Sequence, residues 1–259
     1  LPRNRVIARD IVPTSDLIMP TSEKMPQRNA HTSHRLLVGV MSKPSHGRLR
    51  DGIRETWGSH CRKDGISCDL VFVLGALGKR DIALDRQVQE EQRQYGDLLW
   101  IKVNPEGMRK NFTRKVGSFF SYALHLQRPH VPSLVLRTDD DVYVNVRGIL
   151  KEANEHKAPV YWGNRAIFEP VHRDGKYKMR QEEFAPDVYP PFMSGGRQVL
   201  SRDLLEILVV RRPLQLSTHS LDDVDIGIQL TDVVNGVHDE RFFPAGQCAN
   251  VIAMARERG

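Results

Sequence analysis

Three consecutive carboxylates, Asp139-Asp140-Asp141, follow the apolar run Leu134-Val135-Leu136 and precede Val142-Tyr143-Val144. In extended backbone, alternate side chains share a face, so Asp139 and Asp141 converge while Asp140 points elsewhere. Crowded carboxylates repel one another unless a cation sits among them. An oxygen-only donor set selects a hard divalent ion, Mn2+ or Mg2+, and few protein donors leave room for water and substrate phosphates. A solvated acidic turn is the plain alternative, and the apolar flanks weigh against it. A structural Ca2+ site lacks the Gly-containing spacing of a calcium loop.

A second group is basic. Residues 43–63 hold Lys43, Arg48, Arg50, Arg54, Arg62 and Lys63 against Asp51 and Glu55. Arg50 and Arg54, four apart, share a helix face distinct from that of Leu49, Ile53 and Trp57. Guanidinium forks match phosphate oxygens, so Arg48, Arg50 and Arg54 are expected to meet a nucleotide's phosphates. The competing expectation is a solubilising helix surface.

The third group is late. Ser220-Leu221-Asp222-Asp223 opens a helical run, with Ser220 as N-cap and Asp223 completing a capping-box-like start. The same Asp223 carboxylate, aimed into a cleft, could accept a proton from a hydroxyl. Just upstream, Pro190-Pro191-Phe192-Met193-Ser194-Gly195-Gly196 carries paired glycines. These let backbone pass close to a ligand or take positive φ, or they form an ordinary turn before a helix at 200.

The elements that must position these groups alternate. Residues 36–41, 70–74, 98–103 and 134–136 read as strands. Residues 49–57, 82–95 and 112–126 read as helices. Farther on, a helix fits 146–156, a strand 159–162, and helices 200–210 and 221–234, with an irregular stretch to about 190. The pattern predicts an α/β fold with a mainly parallel sheet flanked by helices, where ligands collect at the carboxyl ends of strands. Residues 1–34, with Pro2, Pro13, Pro20 and Pro26, read as a flexible stem-like tail, and 35–259 as one domain.

The bulk composition of 259 residues is that of a globular chain, 40% hydrophobic and 27% charged. A net charge of +6 suits an anionic partner without choosing between nucleic acid, acidic glycan, anionic membrane and phosphorylated small molecule. A nucleic-acid module is disfavoured, because exposed aromatics do not interleave with the basic residues. No apolar run reaches membrane-spanning length and no signal segment opens the chain. The chain is therefore expected to be a fragment or a mature portion. Cys61 and Cys68 allow a disulfide or two buried thiols, and Cys248 stands alone. Asn111-Phe112-Thr113 is an N-glycosylation sequon.

Together and in this order, these blocks resemble the β1,3-glycosyltransferase family, typified by β1,3-galactosyltransferases. RLRDGIRETWG (48–58), FVLG (72–75), YGD (95–97), NFTRK (111–115), RTDDDVYVN (137–145), YPPFMSGGRQVLS (189–201) and DDVDIG (222–227) carry the resemblance over about 36 to 230. The resemblance implies a GT-A fold, a Rossmann-like mixed sheet, with a UDP-sugar donor, Mn2+ or Mg2+, and inverting transfer to a glycan, glycoprotein or glycolipid hydroxyl. It places Asp139 and Asp141 at the metal and Asp223 as base. Lys115 and Asp140 are placed toward the nucleotide, and Phe192, Gly195, Gly196 and Asp222 toward the substrate. A Golgi lumenal, type II membrane protein is implied, its anchor absent from this chain. This chain departs from the family pattern at Asp222, Asp225 and Arg197-Gln198. The family's late metal-binding His has no clear counterpart. His238 is the downstream candidate; otherwise the ligand lies in a missing C-terminal piece, or metal binding is impaired. A relative that binds sugar nucleotide or glycan without turnover is the competing expectation.

Overall fold

The computed structural model describes residues 34–62, 66–75, 82–101, 108–175, 177–211 and 221–242, together with the short strands at 17–18 and 253–255. The strands are β1 (Leu17–Ile18), β2 (Leu36–Met41), β3 (Cys68–Gly75), β4 (Leu98–Ile101), β5 (Leu134–Asp139), β6 (Val142–Val144), β7 (Tyr161–Ala166), β8 (Phe192–Ser201), β9 (Val237–His238) and β10 (Ala253–Ala255). The α-helices are α1 (Gly47–Glu55), α2 (Ile82–Tyr95), α3 (Met108–His125), α4 (Val146–Ala153), α5 (Arg202–Glu206) and α6 (Asp222–Leu230).

One eight-stranded sheet, in the order β1-β4-β3-β2-β5-β8-β7-β9, organises the chain. Its centre, β4-β3-β2-β5, is parallel. Beyond it β8 runs antiparallel to both β5 and β7, so the sheet is mixed. The predicted α/β architecture is what is observed.

The parallel strands are apolar almost throughout because both of their faces are covered. Leu36, Val38 and Val40 of β2 pack on one side with Phe72, Leu74, Trp57 and Trp162. Leu37 and Met41 pack on the other with Val71, Val73, Phe119 and Phe120. Each such side chain contributes about 1.5–3 kcal/mol on burial. The period-two split fixes the register, since a one-residue slip would exchange the two faces. Trp57 lies in a 3-10 turn, Trp57–Arg62, that follows α1. A Cys61–Cys68 disulfide ties this turn to the start of β3, resolving the choice that the sequence left open.

Two expectations are corrected. Residues 192–201 form β8, where an ordinary turn was one expectation; the helix expected at 200–210 is present as α5 followed directly by a π-helical turn, Ile207–Arg211. Two residues inside the expected tail, Leu17 and Ile18, pair with β4. The helix α6 is N-capped by Leu221 with no side-chain cap bond; the expected capping residue, Ser220, lies outside the described residues. Among the described residues, no helix is long and apolar enough to cross a membrane.

Candidate active site

The acidic triplet stands at the carboxyl end of β5, in the middle of the sheet. It is fixed from both sides. Downstream, β6 pairs with β10, and Asn145 caps α4 by accepting a hydrogen bond from the Gly148 N–H at 2.9 Å. Upstream, the loop after β2 reaches across to Asp140: the Ser42 hydroxyl donates to its Oδ2 at 2.7 Å, and His46 Nδ1 bonds the same oxygen at 2.8 Å.

That loop is itself held by the basic residues. Arg50, fully buried, donates from Nε and Nη2 to the two oxygens of Glu91, both at 2.6 Å, and from Nη1 to the Ser42 hydroxyl and the Lys43 carbonyl. Arg54 donates to both oxygens of Asp97 at 2.8 and 3.0 Å, to Glu91 and to Asp51, with its guanidinium 4.0 Å above the Tyr95 ring. These two arginines therefore brace α1 against α2 and the loop. The expectation that Arg50 and Arg54 meet a diphosphate gives way to this structural role, while Arg48 is exposed. Lys115 is buried and donates to the Ser42 carbonyl. Burial pushes its amine down to about 7, against the attraction of Asp139 and Asp140.

Asp222 and Asp223 arrive from the start of α6, which packs directly on β8. A Cβ on Gly227 would lie 2.3 Å from that of Phe192, so only glycine allows this approach. Asp223 is half-buried, and each of its oxygens takes one backbone N–H: Oδ2 from Gly195 at 3.0 Å and Oδ1 from Val224 at 2.9 Å. Lone pairs remain on both. Gly195 presents its N–H at φ +68°, in the left-handed region that glycine enters without strain.

Between the two acidic groups lies Arg137, buried on β5. Its Nη2 is 2.6 Å from Asp222 Oδ2 and 3.9 Å from Asp139 Oδ1. Burial opposes its charge, but Asp222, Asp139 and Asp223 together hold its pKa above the ordinary value. Asp222 shows the other half of this balance. Burial pushes its carboxyl up to about 7; Arg137 pulls it down, while Asp223 and Asp139 push it up. In a second buried arginine, Arg197, burial holds the pKa below the ordinary value, with Asp139 and Asp141 pulling the other way; its Nη2 lies within 3.3 Å of where a side chain on Gly195 would begin. Asp139 and Asp222 thus flank one buried guanidinium, that of Arg137, which also feels Asp223 as an attracting charge.

Asp139 Oδ1 is buried with no hydrogen-bond partner. It is an oxygen of the kind a divalent ion takes, and Asp141 supplies a second carboxylate two residues on. Among the described residues, however, no cluster of three or more His, Cys, Asp or Glu side chains could hold a metal ion. The chain's own donors fit a metal only where substrate phosphates and water complete the shell. His238 does not join them. It sits on edge strand β9, three strand positions from β5 or roughly 14 Å at ~4.8 Å per strand, and its Nδ1 accepts from the Arg165 N–H. The sequon's Asn111 falls in the first turn of α3, its side chain outside the described residues.

Ser42, His46, Glu91 and Arg137 were not singled out from sequence, and Arg197 was noted only as a departure from the family pattern. Arg137 alone had a usable signal: two residues before Asp139 on a strand, it must share that residue's face.

Comparison with known proteins shows the family. The family model described as Galactosyltransferase matches residues 48–240. Human beta-1,3-galactosyltransferase 2 is 28% identical over 211 residues, covering 79% of this chain and 49% of that protein. The Xenopus laevis UDP-GalNAc:beta-1,3-N-acetylgalactosaminyltransferase 2 is 29% identical over 179 residues, covering 68% and 34%. The chain spans about half the length, or less, of these relatives. A solved mannosyltransferase from Pyrobaculum calidifontis, in complex with GDP-Man and Mn2+, overlaps 82% of this chain and 58% of its own at 16% identity and a TM-score of 0.45. That overlap is too loose to carry an argument.

Proposed function

Because the chain belongs to the galactosyltransferase family, we propose that it transfers a hexose, galactose or an N-acetylhexosamine, from a UDP-sugar to a glycan hydroxyl, forming a β1,3 linkage with inversion on a GT-A fold. The observation that supports this reading is a shared cation: the buried Arg137 guanidinium lies 2.6 Å from Asp222 and 3.9 Å from Asp139, and Asp223 attracts it as well.

Asp223 is the base. Its carboxylate, fixed by the Gly195 N–H, takes the proton of the acceptor hydroxyl. That oxygen bonds to the anomeric carbon from the face opposite UDP, and the bond to the diphosphate oxygen breaks in the same displacement. One inversion results, with no covalent intermediate. A positioned base supplies about 10²–10⁴-fold, and positioning and electrostatics supply the rest. A divalent ion held by Asp139 and Asp141 would neutralise charge on the departing diphosphate. Lys115, His46 and Ser42 keep Asp140 and the β2 loop in place beside it. Phe192, Gly195 and Gly196 are assigned to the acceptor side by this reading. The names of the relatives support a Gal or GalNAc donor and a β1,3 product. A Golgi lumenal setting, with glycoprotein or glycolipid acceptors, fits the same reading.

A second reading, nucleotide-sugar binding without turnover, is favoured by the lack, among the described residues, of a cluster of three donors for a metal. Release of UDP from UDP-galactose, UDP-GalNAc and UDP-GlcNAc, with Mn2+ and with EDTA, separates the two. Acceptor-dependent release supports transfer, whereas UDP binding with no release from any donor supports the second reading.

A further inference from the structure

The β7–β8 ladder is irregular beside the proposed base. Gly163 pairs with Gln198 but Arg165 pairs with Met193, so a step of two residues on β7 matches a step of five on β8. Cross-strand partners share a face. Met193 belongs to the apolar cluster that α6 joins through Ile226 and Leu230, so Arg165 projects on the α6 face of the sheet. On that face, beside the second half of α6, lies a cavity of about 330 Å³. Phe192, Met193, Tyr161 and Leu230 supply apolar lining, and Arg165 and Asn235 supply polar groups. Two glycines keep it open: a Cβ on Gly236 would lie 2.2 Å from Met193 Cε, and one on Gly227 2.3 Å from that of Phe192. Arg165 is half-buried. Its backbone N–H donates to His238 Nδ1, while its guanidinium makes no hydrogen bond or ion pair among the described residues. Arg173 and Arg241, by contrast, are engaged by carbonyls and carboxylates.

We infer that this cavity is a subsite for a carboxylate-bearing sugar of the acceptor, one that lies next to the sugar that reacts. A guanidinium fork takes a carboxylate through two parallel hydrogen bonds, and Arg165 has its fork to give. The apolar lining, Phe192 above all, takes the C–H face of the ring. A volume of about 330 Å³ stands at the lower end of the range for small-ligand sites and is more than a bare carboxylate fills. The place also fits. Gly227 and Leu230 follow Asp223 by four and seven residues on α6, which puts the cavity roughly 6–10 Å along the helix from the base. A net charge of +6 draws an acidic glycan toward the chain. The inference rests on the reading that the acceptor is a glycan, but its test needs neither nucleotide nor turnover. Transfer without any preference for acidic sugars would leave that reading standing and remove only the subsite.

The test is titration of the nucleotide-free, 15N-labelled chain with methyl β-D-glucuronide, methyl β-D-glucoside and acetate, followed through the Asn235 side-chain amide and the Gly236 N–H. The glucuronide should shift both resonances and bind at least about tenfold more tightly than either the neutral ring or the bare anion. A glucoside that binds as well removes the role of the charge, and acetate that binds as well removes the role of the sugar; either result overturns the inference. Arg165→Gln should weaken glucuronide binding about tenfold and leave UDP affinity unchanged, with Arg165→Lys recovering part of the loss. Glucuronide affinity equal in Arg165→Gln and the parent overturns the inference, as do Asn235 and Gly236 resonances that stay unmoved at saturation. Gly236→Ala gives an independent check, since its methyl pushes the flexible end of Met193 into the cavity. It should weaken the glucuronide with Arg165 intact, and unchanged affinity places the sugar elsewhere.

Discussion

Asp222→Asn measures what a buried carboxyl costs beside the proposed base. Burial, helped by Asp223 and Asp139, pushes Asp222 up to about 7 from an ordinary 3.8, against the pull of Arg137. A pKa raised on folding means that the native state holds the proton more tightly than the unfolded chain. The group's stabilisation is therefore fully present below about pH 4 and is lost as pH rises to about 7. The shift is 7 minus 3.8, about 3 units, and at about 1.4 kcal/mol per unit it is worth about 4 kcal/mol at most. Asparagine has no proton to exchange, so the variant lacks this dependence. Loss of the carboxylate next to Arg137 adds an offset that does not vary with pH, and the experiment therefore reads the slope. Urea unfolding of parent and variant, followed by tryptophan fluorescence between about pH 4.5 and 7.5, should give a stability difference, variant minus parent, that grows by about 3 kcal/mol. A difference that stays flat, or that shrinks as pH rises, refutes the reasoning.

Arg54→Met leaves Asp97 and Glu91 without a shared cation. Arg62 still meets Asp97 and Arg50 still meets Glu91, so the substitution should lower unfolding free energy by about 1–3 kcal/mol, measured by denaturant melts; a loss no larger than that of an exposed pair would contradict the bracing role. Gly195→Ala places a side chain at φ +68° and against the Arg197 guanidinium. It should cost about 1–2 kcal/mol of stability and displace the N–H that holds Asp223, so transfer should fall more than UDP affinity does. Equal losses in both would make the effect general distortion.

The parts of the fold that were legible in sequence are those set by local pattern. Leu36–Met41 and Leu70–Leu74 are apolar runs of strand length, and residues 82–95 carry a helix whose limits match α2. β8 was hidden because Ser194-Gly195-Gly196 interrupts its pattern; it is a strand by virtue of β5 and β7, with which it pairs across long stretches of chain. The cleft divides in the same way. The triplet and Asp223 were readable from residue type and from the elements that precede them. The role of Arg50 and Arg54 was not, since their partners Glu91 and Asp97 come from 37 to 43 residues away, and residue type alone cannot tell a phosphate fork from a carboxylate fork. Arg197 stood out only as a departure from the family pattern, because its neighbours depend on the antiparallel pairing that sets it opposite Thr138.

The central claim is that Asp223 takes the acceptor's proton in the cleft it shares with Asp139. Asp223→Asn keeps an oxygen for the Gly195 N–H but loses the basic group, so it separates chemistry from architecture. Initial rates of transfer from the UDP-sugar that the donor panel identifies, beside UDP affinity by calorimetry, are the direct measurement. The expected result is a rate lower by about 10²–10⁴-fold with UDP affinity unchanged. A variant that still transfers sugar at a rate near the parent's would contradict the account.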